Sequence, residues 1–256
     1  VTEAEWLATT EPNPMLRHLI GVDASVRVQD VEHFQNARGS GRKLRLFACA
    51  CYHRVSHRLL DDRAANAVAV AEDVAEGVLP IDMLRFADSP LRSVLYQMKE
   101  GWRSPRGDER DAMTPTYNAL ALASVILCRE PEKAAYYASS NAYLAVETLD
   151  NPLLSRSDAD YSTLGMKSEL VAQTHLLRDI FGNPFRPVAF DPLWRSPTAV
   201  ALACAMYESR NFSTAPILAD ALEEAGCDSA GVLLHLRAEG VHQRGCWVVD
   251  ALLRKA

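Results

Sequence analysis

The sequence predicts an all-α protein, an irregular multi-helix bundle or a short solenoid-like stack of about ten helices. Three observations predict it. Ser, Thr and Asp recur immediately ahead of stretches with apolar residues at three- and four-residue spacing. Gly and Pro punctuate these stretches at their ends. The period-two alternation of a half-buried strand is nearly absent.

Taken in order, Thr2 and Glu5 have the capping-box spacing and start a short helix through Trp6 and Leu7. Pro12 and Pro14 break it, and residues 15–20 form a second short helix ended by Gly21. Val26-Arg27-Val28 reads as a brief strand, residues 30–37 as a helical turn or two, and 38–42 as a flexible connector. A helix over 43–60 follows. Asp61 or Asp62 then caps an alanine-rich helix over 63–76, stopped by Gly77. Two helices come next, over 80–86 and 89–102, the second with Ser89 as cap and Pro90 at its first position. Residues 104–111 read as a polar loop. Thr114-Pro115 and Glu130-Pro131 open helices reaching Cys128 and about Leu149. Residues 150–162 read as a loop before a long helix ending at Gly182. Beyond the turn 182–188, helices are expected over 198–209, 216–225, 229–236 and 245–253. The chain is read as one domain over 1–256, with a lobe boundary near 150–162 as the alternative.

With 48% apolar and 23% charged residues, the composition is that of an ordinary globular protein. A net charge of −6 argues against a dedicated nucleic-acid binder. No apolar run reaches the roughly 18 residues of a membrane span, and the N-terminal residues lack the basic-then-apolar pattern of a signal peptide. A cytoplasmic location is therefore expected, with the six cysteines as free thiols.

Four segments together carry a resemblance. They are Thr2-Glu-Ala-Glu-Trp-Leu7 with Pro14-Met-Leu16; Arg42-Lys-Leu-Arg-Leu-Phe-Ala-Cys-Ala-Cys51; Leu177-Arg-Asp-Ile-Phe-Gly-Asn-Pro-Phe-Arg-Pro-Val188 with Asp191-Pro and Trp194; and Pro216-Ile-Leu-Ala-Asp-Ala-Leu-Glu-Glu-Ala-Gly-Cys227 followed by His242 and Arg244-Gly-Cys-Trp-Val-Val-Asp250. In this combination the chain resembles a family of uncharacterised bacterial proteins found as paralogous sets in environmental bacteria. The resemblance implies no reaction. Relatives usually read Cys-Cys-Arg-Arg at Cys51-Tyr52-His53-Arg54, so it implies no shared role for His53. The run Leu218-Ala-Asp-Ala-Leu-Glu-Glu-Ala-Gly226 looks like a short helical module that accompanies repeat proteins, which implies protein–protein interaction.

Several constellations are candidates for chemistry. On the helix over 43–60, Leu44, Phe47, Ala48, Cys51, Val55 and Leu59 form an apolar stripe. Cys49, His53 and His57 lie opposite at four-residue spacing, which suits two or three zinc ligands. A further ligand would come from elsewhere, with Asp61, Asp62, His175, His235 and His242 as candidates by type. The bland alternative is packed Cys49 beside solvated or hydrogen-bonded histidines.

Between Arg38 and Arg58 stand six Lys or Arg and no Asp or Glu. Arg42, Lys43, Arg45, Arg54 and Arg58 are therefore candidates for binding phosphate or a nucleic-acid backbone. The alternative is pairing with Glu72, Asp73 and Glu76 on the next helix. In the turn over 181–187, Arg186 either closes helix-end carbonyls or binds an anion. Cys246, at a helix start with His242 and Arg244 just before it, is a candidate nucleophile with His242 as its base; the alternative is an apolar core start. There is no phosphate-cradling glycine loop, His-Glu-x-x-His motif or Gly-x-Ser-x-Gly elbow.

These readings order the functions. A helical protein-interaction module comes first, a metal-binding protein or Cys/His enzyme second, and a phosphate or nucleic-acid binder third. Another protein is the expected partner, nucleic acid less so, and a membrane is not expected.

Overall fold

The computed structural model of the chain describes all residues except Glu32, Leu60, 102–106, 151–163, Glu239, Val241 and Ala256; for 101, 107–114, 147–150 and 164 it describes the backbone alone. The protein is all-α: the described residues form twelve α-helices and three 3-10 turns, with no strand among them. They group into two compact units, one of Thr10–Thr174 and one of Val1–Thr9 with His175–Ala256. The expected loop residues 104–106 and the expected lobe boundary at 151–162 lie outside the described residues. No helix among the described residues is long and apolar enough to cross a membrane.

The larger unit holds α2 (Pro12–Ile20), α3 (Gly41–Val55), α4 (Asp62–Ala75), α5 (Met83–Gly101), α6 (Gly107–Ile126), α7 (Pro131–Asp150) and the first part of α8 (Leu164–Phe181). α3 is its central helix and packs on α4, α6 and α7. Ser40 caps it, accepting from Lys43 N–H at 3.3 Å. Its apolar stripe is buried as expected, but so are Leu46, Cys49, Ala50 and Tyr52 on the other side. A helix enclosed on both sides cannot be recognised from one stripe.

Several expected elements differ. The strand at Val26–Val28 is replaced by a 3-10 turn, Val28–Asp30. Arg17 Nη1 donates to the carbonyls of Asp23 (2.7 Å) and Val26 (2.9 Å), so a side chain satisfies this backbone where no neighbouring strand does. The helix expected over 43–60 ends at Val55, and Ser56–Arg58 tighten into a 3-10 turn. The two helices expected over 80–102 are one, α5, with exposed Pro90 inside it. Leu84, Asp88, Leu91 and Met98 are buried on either side of that proline. Their burial outweighs the one hydrogen bond that Pro90 cannot donate. α6 starts at Gly107, ahead of Thr114-Pro115.

The smaller unit holds α1 (Glu3–Ala8), the remainder of α8, α9 (Pro197–Ser209), α10 (Ala215–Glu224), α11 (Ala230–Arg237) and α12 (Trp247–Leu253). Its core is built from Trp194, Met206, Leu218, Leu222, Leu236 and Val249, with their neighbours on α9–α12. Trp6 of α1 is fully buried and donates through Nε1 to the Gly182 carbonyl at 3.0 Å. Arg178 donates to the carbonyls of Trp6 and Thr9, closing the end of α1.

Candidate metal centre

The chemistry of the smaller unit gathers where α8, α11 and α12 meet. Asp179 stands near the end of α8, which Gly182 terminates at φ 64°. Its neighbours Leu176, Leu177 and Ile180 are buried, and Asp179 is 5% exposed among them. His235 lies near the end of α11. The chain leaves that helix, passes His242, and reverses at Gly245, whose φ of 93° is costly for any side-chain-bearing residue. Cys246 follows at once as the N-cap of α12, with its N–H on the Gln243 carbonyl at 3.0 Å.

These residues converge. His242 Nδ1 is 2.6 Å and His235 Nε2 is 3.2 Å from Asp179 Oδ1. Cys246 Sγ is 3.3 Å from His235 Nε2 and 3.8 Å from His242 Nδ1. One ligand atom from each of Asp179, His235, His242 and Cys246 lies within 4.8 Å of all the others. The other oxygen of Asp179, Oδ2, accepts from Gln243 N–H at 2.9 Å, fixing the loop to α8. The two imidazoles meet edge to face at 4.9 Å, and Trp247 packs against His235 at 5.3 Å.

Burial acts on both acids. It raises the Asp179 carboxyl, but hydrogen bonds from His235 and His242 and their charge outweigh it and leave the carboxyl below its ordinary value. The Cys246 thiol is pushed well above the usual thiol range by burial and by the Asp179 carboxylate. A nucleophilic cysteine needs the opposite shift. The ring geometry also differs from a relay. Cys246 and Asp179 both face Nδ1 of His242, whereas a base that activates a nucleophile meets its orienting acid on the other nitrogen. Four donor atoms within 4.8 Å of one another, two of them from acids, are a group that could hold a metal ion. His242 Nε2, on the far side of the ring, is buried and has no hydrogen-bond partner among the described residues.

The remaining expected site residues lie elsewhere. Cys49 is 1% exposed in the core of the larger unit. His53 bonds through Nε2 to Glu72 at 2.6 Å. His57 belongs to the 3-10 turn after α3, which breaks the four-residue register with His53. Cys49, His53 and His57 are thus not gathered; the metal-type group found among the described residues is the one in the smaller unit. His235, noted in sequence only as an outside ligand for that helix, and His242, noted also as a base for Cys246, both join Cys246 instead.

The basic residues are largely engaged within the larger unit. Arg42 pairs with Glu76 at 3.0 Å, as the pairing alternative expects, and Arg54 pairs with buried Glu169 at 3.0 Å. Arg45 is 3% exposed and donates to the carbonyls of Ile126, Cys128 and Arg129. Lys43 and Arg58 are half-buried. In the smaller unit Arg186 pairs with Glu3 at 2.8 Å, away from helix-end carbonyls.

Asp179 is the member of this group that sequence reasoning missed. Its signal was present: a lone acid on the apolar face formed by Leu176, Leu177 and Ile180. No protein-family model matches the chain, and neither a curated protein nor a solved structure does.

Proposed function

We propose that this is a zinc-binding helical protein whose smaller unit is held together by a tetrahedral zinc ion on Asp179, His235, His242 and Cys246. The observation that carries the reading is the convergence of their four donor atoms within 4.8 Å. Zn–N bonds of about 2.0–2.1 Å and a Zn–S bond of about 2.3 Å put the corners of a tetrahedron about 3.3–3.6 Å apart. The His235–Asp179, His235–Cys246 and His242–Cys246 separations of 3.2, 3.3 and 3.8 Å are close to these edges. The 2.6 Å edge between His242 and Asp179 would have to open. A mixed sulfur, nitrogen and oxygen set suits zinc better than magnesium or calcium, which take all-oxygen shells.

Four protein ligands fill the tetrahedron, and Asp179 and Cys246 are buried, which supports a structural role. The ion would tie the ends of α8 and α11 to the start of α12 across the loop that carries His242. Metal analysis of protein purified without an affinity tag tests this. Stoichiometric zinc that is lost in Cys246→Ala and His235→Ala, and kept in His53→Ala, is expected. Absence of zinc, or zinc retained in both ligand variants, would overturn the reading.

A second reading, docking of another protein, is favoured by Val78 and Phe86 in the larger unit, 69% and 70% exposed. Hydrogen exchange in buffer and in cell extract tests it. Protection confined to the backbone around these residues is expected, and equal exchange in the two would remove it.

A further inference from the structure

We propose that α1 is a strap whose docking is linked to metal loading: an ion on Asp179 and His235 holds the segment that anchors α1, and loss of the ion releases the strap. This rests on the metal reading and gives that site a regulatory consequence. α1 has six residues, whereas an isolated helix shorter than about 12–15 residues is marginal in water. Its docking therefore depends on anchors from elsewhere, and these come from far along the chain. Arg178 donates to the Trp6 carbonyl at 2.8 Å and to the Thr9 carbonyl at 2.7 Å. The Gly182 carbonyl accepts from the indole of fully buried Trp6 at 3.0 Å. Asn183 Nδ2 donates to Glu3 Oε1 at 2.8 Å, and Arg186 pairs with the same carboxylate. All four anchors stand within residues 178–186, the end of α8 and the turn that follows it.

Asp179 belongs to that same segment, directly after Arg178 and one turn before Gly182. A second route to the metal group runs through packing. A Cβ at Gly182 would lie 3.2 Å from the Trp247 ring, and Trp247 packs against His235 at 5.3 Å. α1 and the ion therefore draw on one element. Helix ends open more readily than helix interiors. Each opening of the end of α8 takes Arg178 and Gly182 away from α1 together. An ion on Asp179 and His235 suppresses that opening from one side, and docked α1 suppresses it from the other. Whichever binds first orders the segment, so the second binds more tightly. Linkage makes the effect reciprocal: zinc strengthens the docking of α1 by the factor by which docked α1 strengthens zinc. Release carries Trp6 from the core towards solvent, so the N-terminal segment responds to whether the ion is bound.

The experiment follows amide hydrogen exchange of the full chain, zinc-loaded and chelator-stripped. It reads the amides of Trp6 and Thr9, which bond to the Thr2 and Glu5 carbonyls at 2.9 Å. On stripping, their exchange is expected to rise about tenfold or more. Amides at Ala203 of α9 and Leu222 of α10, both fully buried, are expected to keep more of their protection. Glu3→Ala removes the acceptor of Asn183 and Arg186, and Trp6→Phe removes the indole donor. Each is expected to weaken zinc about fivefold or more in chelator competition. Leu7→Ala, at a position 57% exposed on α1, is expected to leave zinc affinity unchanged. Zinc bound with no change in α1 exchange overturns the linkage and leaves the metal reading intact. Protection lost equally from α1, α9 and α10 also overturns it, because the unit then opens as a whole. Unchanged zinc affinity in Glu3→Ala overturns it as well, whether or not Trp6→Phe folds. Failure of the chain to load zinc overturns both readings.

Discussion

His242 turns its Nδ1, at 2.6 Å, towards Asp179 Oδ1, and Cys246 Sγ approaches that same nitrogen. Three donors on one side of the ring make a ligand group, and the residues that complete it become testable. Cys246→Ala and Asp179→Ala are each expected to lower zinc affinity by at least about 100-fold, beyond the about 10–100-fold of losing an outer partner. Competition with a chromophoric chelator measures it. Chelation of the ion from the unaltered protein is expected to lower the unfolding temperature, because the metal binds only the folded unit.

Gly182 ends α8 three residues after Asp179, and its φ of 64° is left-handed. A Cβ there would also lie 3.2 Å from the Trp247 ring. Gly182→Ala is expected to destabilise the smaller unit by about 1–2 kcal/mol from the left-handed strain plus crowding. Trp247 packs against His235, so zinc affinity should fall with stability. Urea unfolding and the chelator assay on one variant check both effects.

Arg45 is the most deeply buried of the cations that the sequence offers for phosphate. It closes three carbonyls at and beyond the end of α6. Burial lowers its pKa, partly offset by nearby Cys49 and acidic groups. Arg45→Ala is expected to cost about 3 kcal/mol, because one buried and two part-buried carbonyls lose a charged donor. Urea unfolding measures the loss, and retention on heparin should be unchanged.

Asp61 caps α4, accepting from Arg63 N–H at 2.9 Å and Ala64 N–H at 3.3 Å. The Arg63 side chain, outweighing burial, together with these amides holds its carboxyl below the ordinary 3.8. The folded-state value is thus the lower one, and the stabilisation by the charged form is present above 3.8 and lost as pH falls through the folded value. Asp61→Ala is expected to cost about 1 kcal/mol at neutral pH. The stability difference between Asp61 and Asp61→Asn should shrink below pH 3.8, as paired urea titrations would measure.

Helix ends were the most legible part of the chain. Thr2 with Glu5, Asp61, Gly77 and Gly182 act where their spacing predicts, since a cap involves residues only a few positions apart. Pro90 misled for the complementary reason. Its local effect is to start a helix, and the burial of Leu84, Asp88, Leu91 and Met98 that overrides it depends on neighbouring helices.

His242 and Cys246 stood out in sequence because they are close together, at the start of a helix. What they do could not be read there. Their partners, Asp179 on α8 and His235 on α11, arrive through the packing of the smaller unit, and Asp179 is remote in sequence. The sequence by itself determined an all-α chain and most of its helix boundaries, because backbone hydrogen bonds and caps are local. Only the tertiary structure decided that Cys49, His53 and His57 stay apart while Asp179, His235, His242 and Cys246 meet. A ligand group needs donor atoms converging on one point in space, and spacing along a helix decides direction without deciding what lies opposite.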